Sequence, residues 1–334
     1  MIKLGRTELE INRIGFGGIP IQRITKEETK KLIQKCKEEG INFIDTARGY
    51  TVSEEYIGYG IKEDKDYWII ATKSMARDYD SMKKDIEISL RNLGRDYIDL
   101  YQIHNLKEDE YEKIFSENGA YRALEEAKKE GKIREIGITS HSVNSIEKAV
   151  ECNKFSTIQF PYNIVENQGE KALIKAKEKN IGTIIMKPLA GGALDNGRLA
   201  LRYILSKEFV DVVIPGMDNI DQVIENIKAG KENNILTESE IKEINKIKKE
   251  LGNKFCRRCG YCLPCKQGIN IPMQFLLEGY YTRYNLKEWA LDRYRSLGNG
   301  ASTCTKCGVC EQKCPYYLPI MDMLENVANV LEKE

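Results

Sequence analysis

Eight of the ten cysteines fall near the C-terminus as two combs, Cys256-x2-Cys259-x2-Cys262-x2-Cys265 and Cys304-x2-Cys307-x2-Cys310-x3-Cys314-Pro315. The spacing suits an iron–sulfur cube. A chain curling around a [4Fe–4S] group presents three thiolates at x2 intervals and takes the fourth from further away. Zinc fits less well, because its structural sites use two Cys-x2-Cys knuckles held apart by a longer stretch. A disulfide framework belongs to small secreted chains, and this sequence of 334 residues shows no signal-peptide pattern. The other two thiols, Cys36 and Cys152, sit in expected helices and read as small buried apolar residues.

A second group of reactive side chains is polar and dispersed: Asp45, Tyr50, Lys73 and His104. Singly, each has a structural explanation, as a turn cap, a rim aromatic, a solvated tip or a hydrogen-bonded core histidine. Jointly they describe carbonyl reduction. A phenol titrating near 10 is a poor proton donor at neutral pH. A neighbouring ammonium lowers that value, and a carboxylate holds the ammonium in place. A histidine can then orient the carbonyl and stabilise the developing oxyanion.

The elements that would position this tetrad are legible between residue 13 and about residue 230. Eight β-branched runs, at 14–17, 42–46, 68–73, 98–104, 135–139, 157–160, 183–187 and 210–215, alternate with amphipathic Lys/Glu-rich helices such as 26–39, 81–93, 120–130 and 170–179. Eight βα units in about 220 residues argue for a parallel (β/α)8 TIM barrel, whose sites lie at the C-terminal strand ends. An open doubly wound sheet is the second reading, but no Gly-x-Gly-x-x-Gly follows a strand. Residues 2–4 and 9–11 flank Gly5-Arg6-Thr7 as a hairpin that would plug the barrel floor. The acidic stretch 105–119, with Tyr111 and Phe115, is expected to line the barrel mouth. The division expected is a barrel over 1–251 and a small iron–sulfur domain over 252–334.

The combs resemble bacterial-type two-cluster ferredoxins, in which the fourth cysteine of each run serves the other cluster. The resemblance implies two [4Fe–4S] clusters, one on Cys256, Cys259, Cys262 and Cys314, the other on Cys304, Cys307, Cys310 and Cys265. The first comb closes with x2 where ferredoxins have x3, and the long stretch 266–303 separates the combs. Much of that stretch (273–297, with Phe275, Leu276, Tyr280, Trp289 and Leu291) reads as helical, so the module resembles an α-helical ferredoxin.

Residues 1 to about 250 resemble the aldo/keto reductase family. Phe43-Ile44-Asp45-Thr46-Ala47-Arg48-Gly49-Tyr50, then Ser53-Glu54-Glu55-x-Ile57-Gly58, Ala71-Thr72-Lys73 and Asp99-Leu100-Tyr101-x-x-His104 follow its signature in order. The likeness implies Tyr50 as general acid, Lys73 and Asp45 tuning it, and His104 orienting the carbonyl. It also implies that Ser140 and Gln159 hold a nicotinamide carboxamide, and that Pro188-Leu189, Gly216, Gln222, Glu225 and Asn226 line pyrophosphate and adenosine. His141 is either a cofactor contact or a structural hydrogen-bonding group. The subset of the family with C-terminal ferredoxin-like cysteines is the nearest likeness.

Three positions depart from the family pattern. Met186 replaces the usual aromatic on the nicotinamide, and Gly216 and Gln222 replace the lysine and arginine that anchor the NADP 2′-phosphate. Neither replacement offers a charge to a phosphate. NADH is therefore expected over NADPH if a nicotinamide binds. Hydride transfer moves two electrons together, whereas a cube passes one, and no flavin motif is evident. Two mechanisms remain open. In one, the barrel handles a small carbonyl/alcohol substrate while the cubes relay electrons to a ferredoxin or flavoprotein. In the other, it uses NAD(H) and the cubes are structural or sensory. The reading from another class is a catalytically silent barrel whose iron–sulfur module senses redox state or binds a partner.

Charge excludes more than it suggests. With 52 basic and 51 acidic residues no global field recruits nucleic acid or membrane. Residues 252–334 hold 11 Lys/Arg against 8 Asp/Glu, too small a surplus for a nucleic-acid face. The apolar runs are too short to span a bilayer. Cluster chemistry and free thiols point to a reducing cytoplasm, as in an anaerobe.

Overall fold

The computed structural model describes residues 1–284 and 286–333. The chain divides into two compact units. The first comprises Met1–Asn163, Asn167–Pro188 and Gly197–Leu236; the second comprises Ile164–Glu166, Leu189–Asn196 and Thr237–Glu334. Among the described residues no helix is long and apolar enough to cross a membrane.

In the first unit, strands β1 (Ile2–Lys3) and β2 (Glu10–Ile11) pair antiparallel as the expected hairpin. Eight parallel strands follow: β3 (Phe16–Gly17), β4 (Phe43–Asp45), β5 (Ile69–Ser74), β6 (Ile98–Ile103), β7 (Ile133–Thr139), β8 (Thr157–Pro161), β9 (Gly182–Met186) and β10 (Val212–Val213). They are hydrogen-bonded in chain order. Parallel bridges Ile14↔Val213 and Gly17↔Gly216 join the last strand to the first and close the barrel. Each predicted run contributes one strand, and the helices between them begin and end on local signals. Thr25 and Glu28 form a capping box ahead of the helix Lys26–Glu38, and Gly94 ends Tyr79–Leu93 in the left-handed conformation.

Side-chain alternation along the strands sorts the barrel interior into layers. Phe43, Ala71, Leu100 and Ile184 form an apolar lower layer together with Leu4, Leu9 and Ile11 of the hairpin. The hairpin seals this end by close approach: a Cβ on Gly5, at φ +54°, would lie 2.1 Å from the Gly182 nitrogen. Two residues further along each strand, the same inward parity reaches Asp45, Lys73, Gln102 and Met186. The floor is apolar, and the upper layer is polar apart from Met186.

The stretch 105–119 reaches the mouth only with its first residues, where Asn105 Oδ1 meets His141 Nδ1 at 2.9 Å. It contains the short helix Tyr111–Phe115, and Phe115 packs against Tyr121 and Phe155. Phe155 precedes β8, at the end of the strand opposite the catalytic rim, so these rings cover the barrel wall and not its mouth. Ile114, fully buried, supplies the apolar anchor that turns the segment inward.

The second unit is helical, with Glu238–Leu251, Ile271–Thr282, Lys287–Arg295, Val309–Gln312 and Ile320–Leu331. Its core is built from Ile271, Phe275, Leu277, Tyr294, Leu324 and Val327 among others. Two of these helices occupy most of the predicted helical stretch 273–297; Asn285 lies outside the described residues. Cys36 is buried in the helix Lys26–Glu38, and Cys152 closes the helix Val143–Cys152.

Candidate active site

The register of the parallel strands sets Lys73 beside Gln102, and Asp45 beside Ala71. Asp45, Lys73 and Gln102 thus face inward in one layer, with His104 one step higher at the end of β6. Lys73 Nζ donates to Asp45 Oδ2 at 2.6 Å and to the Thr46 carbonyl at 2.7 Å. Both side chains are almost fully buried. Burial alone pushes the Lys73 ammonium below its ordinary value and the Asp45 carboxyl above its own; their mutual contact opposes both shifts. The two acceptors on Nζ suit a charged ammonium.

Lys73 Nζ lies 5.1 Å from the centroid of the Tyr50 ring. The Tyr50 and His104 rings meet edge to face with centroids 6.0 Å apart. All four members of the expected tetrad are therefore neighbours, although they come from three strand ends and a loop well separated in sequence. His104 is held at a pKa of about 3, first by burial, then by the Lys73 and Arg77 charges. Its ring is neutral at physiological pH. Its Nδ1 is buried and has no hydrogen-bond partner among the described residues, and Arg77 fixes the backbone beneath it by donating to the His104 carbonyl at 2.8 Å.

Gln102, which sequence reasoning passed over, belongs to this layer. Its amide donates to Gln159 Oε1 at 2.9 Å and, at 3.4 Å, to Asp45 Oδ1. Gln159 in turn reaches Asp45 Oδ2 at 3.5 Å. Two neutral amides thus bracket the carboxylate. Strand parity was the signal available: Leu100, Gln102 and His104 share one face of β6.

The expected cofactor residues are distributed less evenly. Ser140 is buried and its hydroxyl donates to the Leu106 carbonyl at 2.7 Å. His141 Nδ1 meets Asn105 Oδ1 at 2.9 Å. Met186 ends β9 and is half-buried, Pro188 follows it, and Leu189 falls in the second unit. A side chain at Gly216 would press on the Pro20 ring, 2.7 Å from the added Cβ. Gln222 Oε1 accepts from the Asp218 amide at 2.8 Å, at the start of the helix Ile220–Lys231. Glu225 and Asn226 lie on that helix, Glu225 exposed. Beside the same turn stands Arg23, a cation that no local pattern places there, in a 2.5 Å ion pair with Asp218.

In the second unit the comb cysteines surround two recesses. Cys256, Cys259, Cys262 and Cys314 line one, of about 310 Å³ counting the open space at its mouth, with Phe275, Tyr316, Leu318 and Ile320. Cys265, Cys304, Cys307 and Cys310 line the other, of about 400 Å³ on the same measure, where Cys262 is also present with Val309 and Leu324. The combs share a backbone path. Arg258 and Lys306, two residues after the first cysteine, are left-handed, as are Gly260 and Gly308, directly after the second. Each comb thereby winds around its recess. Among the described residues no three His, Cys, Asp or Glu side chains meet closely enough to hold a single ion. Thiolate donors spaced around an apolar recess fit a cube, which needs one thiolate at each of four corners. The first comb is tied down by Arg257 Nε, which donates to the Val165 carbonyl at 2.8 Å, and by an Arg258–Glu166 ion pair at 2.5 Å.

Known proteins share both parts. The 4Fe-4S dicluster domain family matches residues 255–319. An uncharacterized oxidoreductase of Schizosaccharomyces pombe, C215.11c, is 31% identical over 269 residues, covering 68% of this chain and 84% of its own. L-galactose dehydrogenase of Arabidopsis thaliana is 27% identical over 277 residues, covering 68% and 86%. Among solved structures, the holo form of the aldo-keto reductase AKR11C1 from Bacillus halodurans superposes with a TM-score of 0.65 at 28% identity, over 74% of this chain and 95% of its own. Since the Aldo/keto reductase family also matches residues 13–198 and 197–249, the chain belongs to that family of oxidoreductases, with a C-terminal 4Fe-4S dicluster domain.

Proposed function

We propose that the protein interconverts a small carbonyl compound and its alcohol, with Tyr50 as general acid and base. The observation that carries this reading is the chain of contacts Asp45–Lys73–Tyr50–His104 at the C-terminal rim of the barrel. In the reducing direction Tyr50 gives its phenolic proton to the carbonyl oxygen, and in the oxidising direction the phenolate removes it from the alcohol. The Lys73 ammonium, held by Asp45, stabilises that phenolate. His104, neutral because it is buried, offers an N–H to the same oxygen and restrains its position. A nicotinamide at the strand ends, near Ser140, Gln159 and Met186, would supply or accept the hydride. NADH is favoured over NADPH, because Gly216 and Gln222 offer no charge to a 2′-phosphate and Asp218 already engages Arg23.

The proposed cluster ligands are Cys256, Cys259, Cys262 and Cys314 for one [4Fe–4S] group and Cys265, Cys304, Cys307 and Cys310 for the other, supported by the two recesses they line. Such groups would supply one-electron transfer, which suits exchange with a ferredoxin or flavoprotein. Exposure of Cys259 and Cys307, one on each recess, favours that reading over purely structural clusters.

Separate anaerobic additions of NADH, NADPH and a reduced low-potential carrier test these assignments. The expected results are NADH-dependent carbonyl reduction exceeding that with NADPH, and bleaching of cluster absorbance by the carrier. A clear NADPH preference would overturn the reading of Gly216 and Gln222. Turnover with clusters inert to every carrier would overturn the relay.

A further inference from the structure

One group of charged side chains in the barrel wall has no part in the proposed chemistry, yet it is gathered around the Tyr50 loop, with Glu54 buried and Arg48 and Asp85 half-buried. Glu54 is 1% exposed. Its Oε1 accepts from Thr72 at 2.8 Å and Ser89 at 2.7 Å; its Oε2 accepts from Arg48 at 2.7 Å and Asn92 at 3.2 Å. Arg48 Nε lies 3.6 Å from Asp85 Oδ1. The other Asp85 oxygen accepts from the Ser74 hydroxyl, which itself accepts from the Ala76 amide at 2.9 Å. A carboxylate taken out of water costs several kcal/mol unless its partners are well placed. Here the partners of Glu54, itself on the helix Ser53–Gly60, come from three places: Thr72 from β5, Ser89 and Asn92 from the helix Tyr79–Leu93, and Arg48 from the loop after β4.

Arg48 is where this network meets the catalytic loop. Its amide donates to the Lys73 carbonyl at 3.0 Å, so one residue is bonded to the backbone of Lys73 and, through its side chain, hydrogen-bonded to Glu54, with the Asp85 carboxylate within ion-pair distance. The next residue, Gly49, is exposed and has nothing within 4 Å of where a Cβ would stand. After Tyr50 comes Thr51 at φ +40°, a conformation unfavourable to a β-branched residue, with its hydroxyl donating to Gln22 Oε1 at 2.8 Å. Tyr50 itself closes two turns, its amide donating to the Ala47 carbonyl at 3.0 Å and its carbonyl accepting from the Ser53 amide at 2.8 Å. On its N-terminal side, Arg48 carries the side-chain tie from these turns to the buried Glu54.

We propose that Arg48, clamped between Glu54 and Asp85, is a positioning residue that holds the 46–52 loop so that the Tyr50 ring stays beside the Lys73 ammonium. The proposal rests on the reading of Tyr50 as acid and base. Arg48 acts only through Tyr50: loosening it lets the phenol drift from Lys73, which lowers the rate at which a bound carbonyl is protonated while leaving substrate affinity nearly unchanged.

The test uses cluster-loaded wild type, Arg48→Met and Arg48→Lys, each paired with its own Tyr50→Phe counterpart, with methylglyoxal and NADH as probes. Tyrosinate absorbance is titrated in parallel, each protein being subtracted from its own Tyr50→Phe counterpart so that one phenol of the 18 is seen. Arg48→Met should lower kcat by about 10- to 100-fold, as for a displaced catalytic group, and move KM less than threefold. Its Tyr50 titration and the alkaline limb of kcat should shift together to higher pH, since the phenolate loses its ammonium neighbour. Arg48→Lys, which reaches one carboxylate, should recover part of both effects. If Arg48→Met does not fold, Asp85→Asn removes one arm of the clamp and is read the same way. Unchanged titration in the folded variant would overturn the proposal, with or without turnover of the probe. A Tyr50→Phe enzyme as fast as wild type would instead overturn the reading on which it rests.

Discussion

His104 is neutral because of where it sits, and its neutrality has a measurable consequence for stability. Burial, then Lys73 and Arg77, hold it near 3, against about 6.5 in an unfolded chain. Between those values the unfolded state binds a proton that the native state refuses, so stability falls as pH drops below about 6.5 and continues to fall toward 3. Comparing wild type with His104→Gln isolates the effect from carboxylate titration. The wild type should lose roughly 1–2 kcal/mol more than the variant between pH 6.5 and 5, measured by denaturant unfolding; parallel curves would show that His104 is not buried neutral. At this scale the meeting of the four side chains was legible because Asp45, Lys73 and His104 stand at strand ends, Tyr50 stands in the loop after one of them, and each is chemically unusual there. Gln102 was equally legible from strand parity but carries no charge to attract notice. Arg23 was not legible, since its partner Asp218 lies near the other end of the barrel sequence and nothing local marks the meeting.

The eight strands were readable as elements because each is a short β-branched run bounded by turns and amphipathic helices. Their lengths were not. β3 and β10 have only two residues each, and the barrel closes between them through isolated bridges and the bonds Gly15 N to Val213 O and Gly17 N to Pro215 O, both 2.9 Å. Closure depends on register between distant strands, which no local pattern encodes. The stretch 105–119, read as lining the mouth, does so only at its start, by Asn105; Ile114 is buried and Phe115 packs on Tyr121 and Phe155. The hairpin was read correctly in place and role. Leu4, fully buried against the lower layer, is its main plug. Leu4→Ala should cost about 2–5 kcal/mol of unfolding free energy through the lost transfer and the cavity left behind. Turnover at a temperature where the variant is folded should be nearly unchanged, because the floor and the rim are opposite ends of the strands. A large fall in kcat with native stability would contradict the layer description.

For the molecule as a whole, two chemistries share one chain: a redox barrel in the first unit and cysteine combs in the second. Comb spacing made the second legible as iron–sulfur, and the crossed grouping that the ferredoxin resemblance implied is the one the two recesses show, with Cys314 beside the first comb and Cys265 beside the second. Anaerobic protein should carry about eight irons, and Cys307→Ser should reduce that to about four while Cys36→Ser, in the buried helix Lys26–Glu38, leaves it alone. An undiminished iron content in the Cys307 variant would contradict the ligand assignment. The central claim is that the tetrad, and Tyr50 above all, performs the carbonyl chemistry of the intact protein. Its most direct test is anaerobic single-turnover reduction of a carbonyl probe by NADH in cluster-loaded wild type and Tyr50→Phe. The variant, matched for iron content and folding, should be slower by at least ~100-fold, the lower end for loss of a general acid, and a near-native rate would contradict the account.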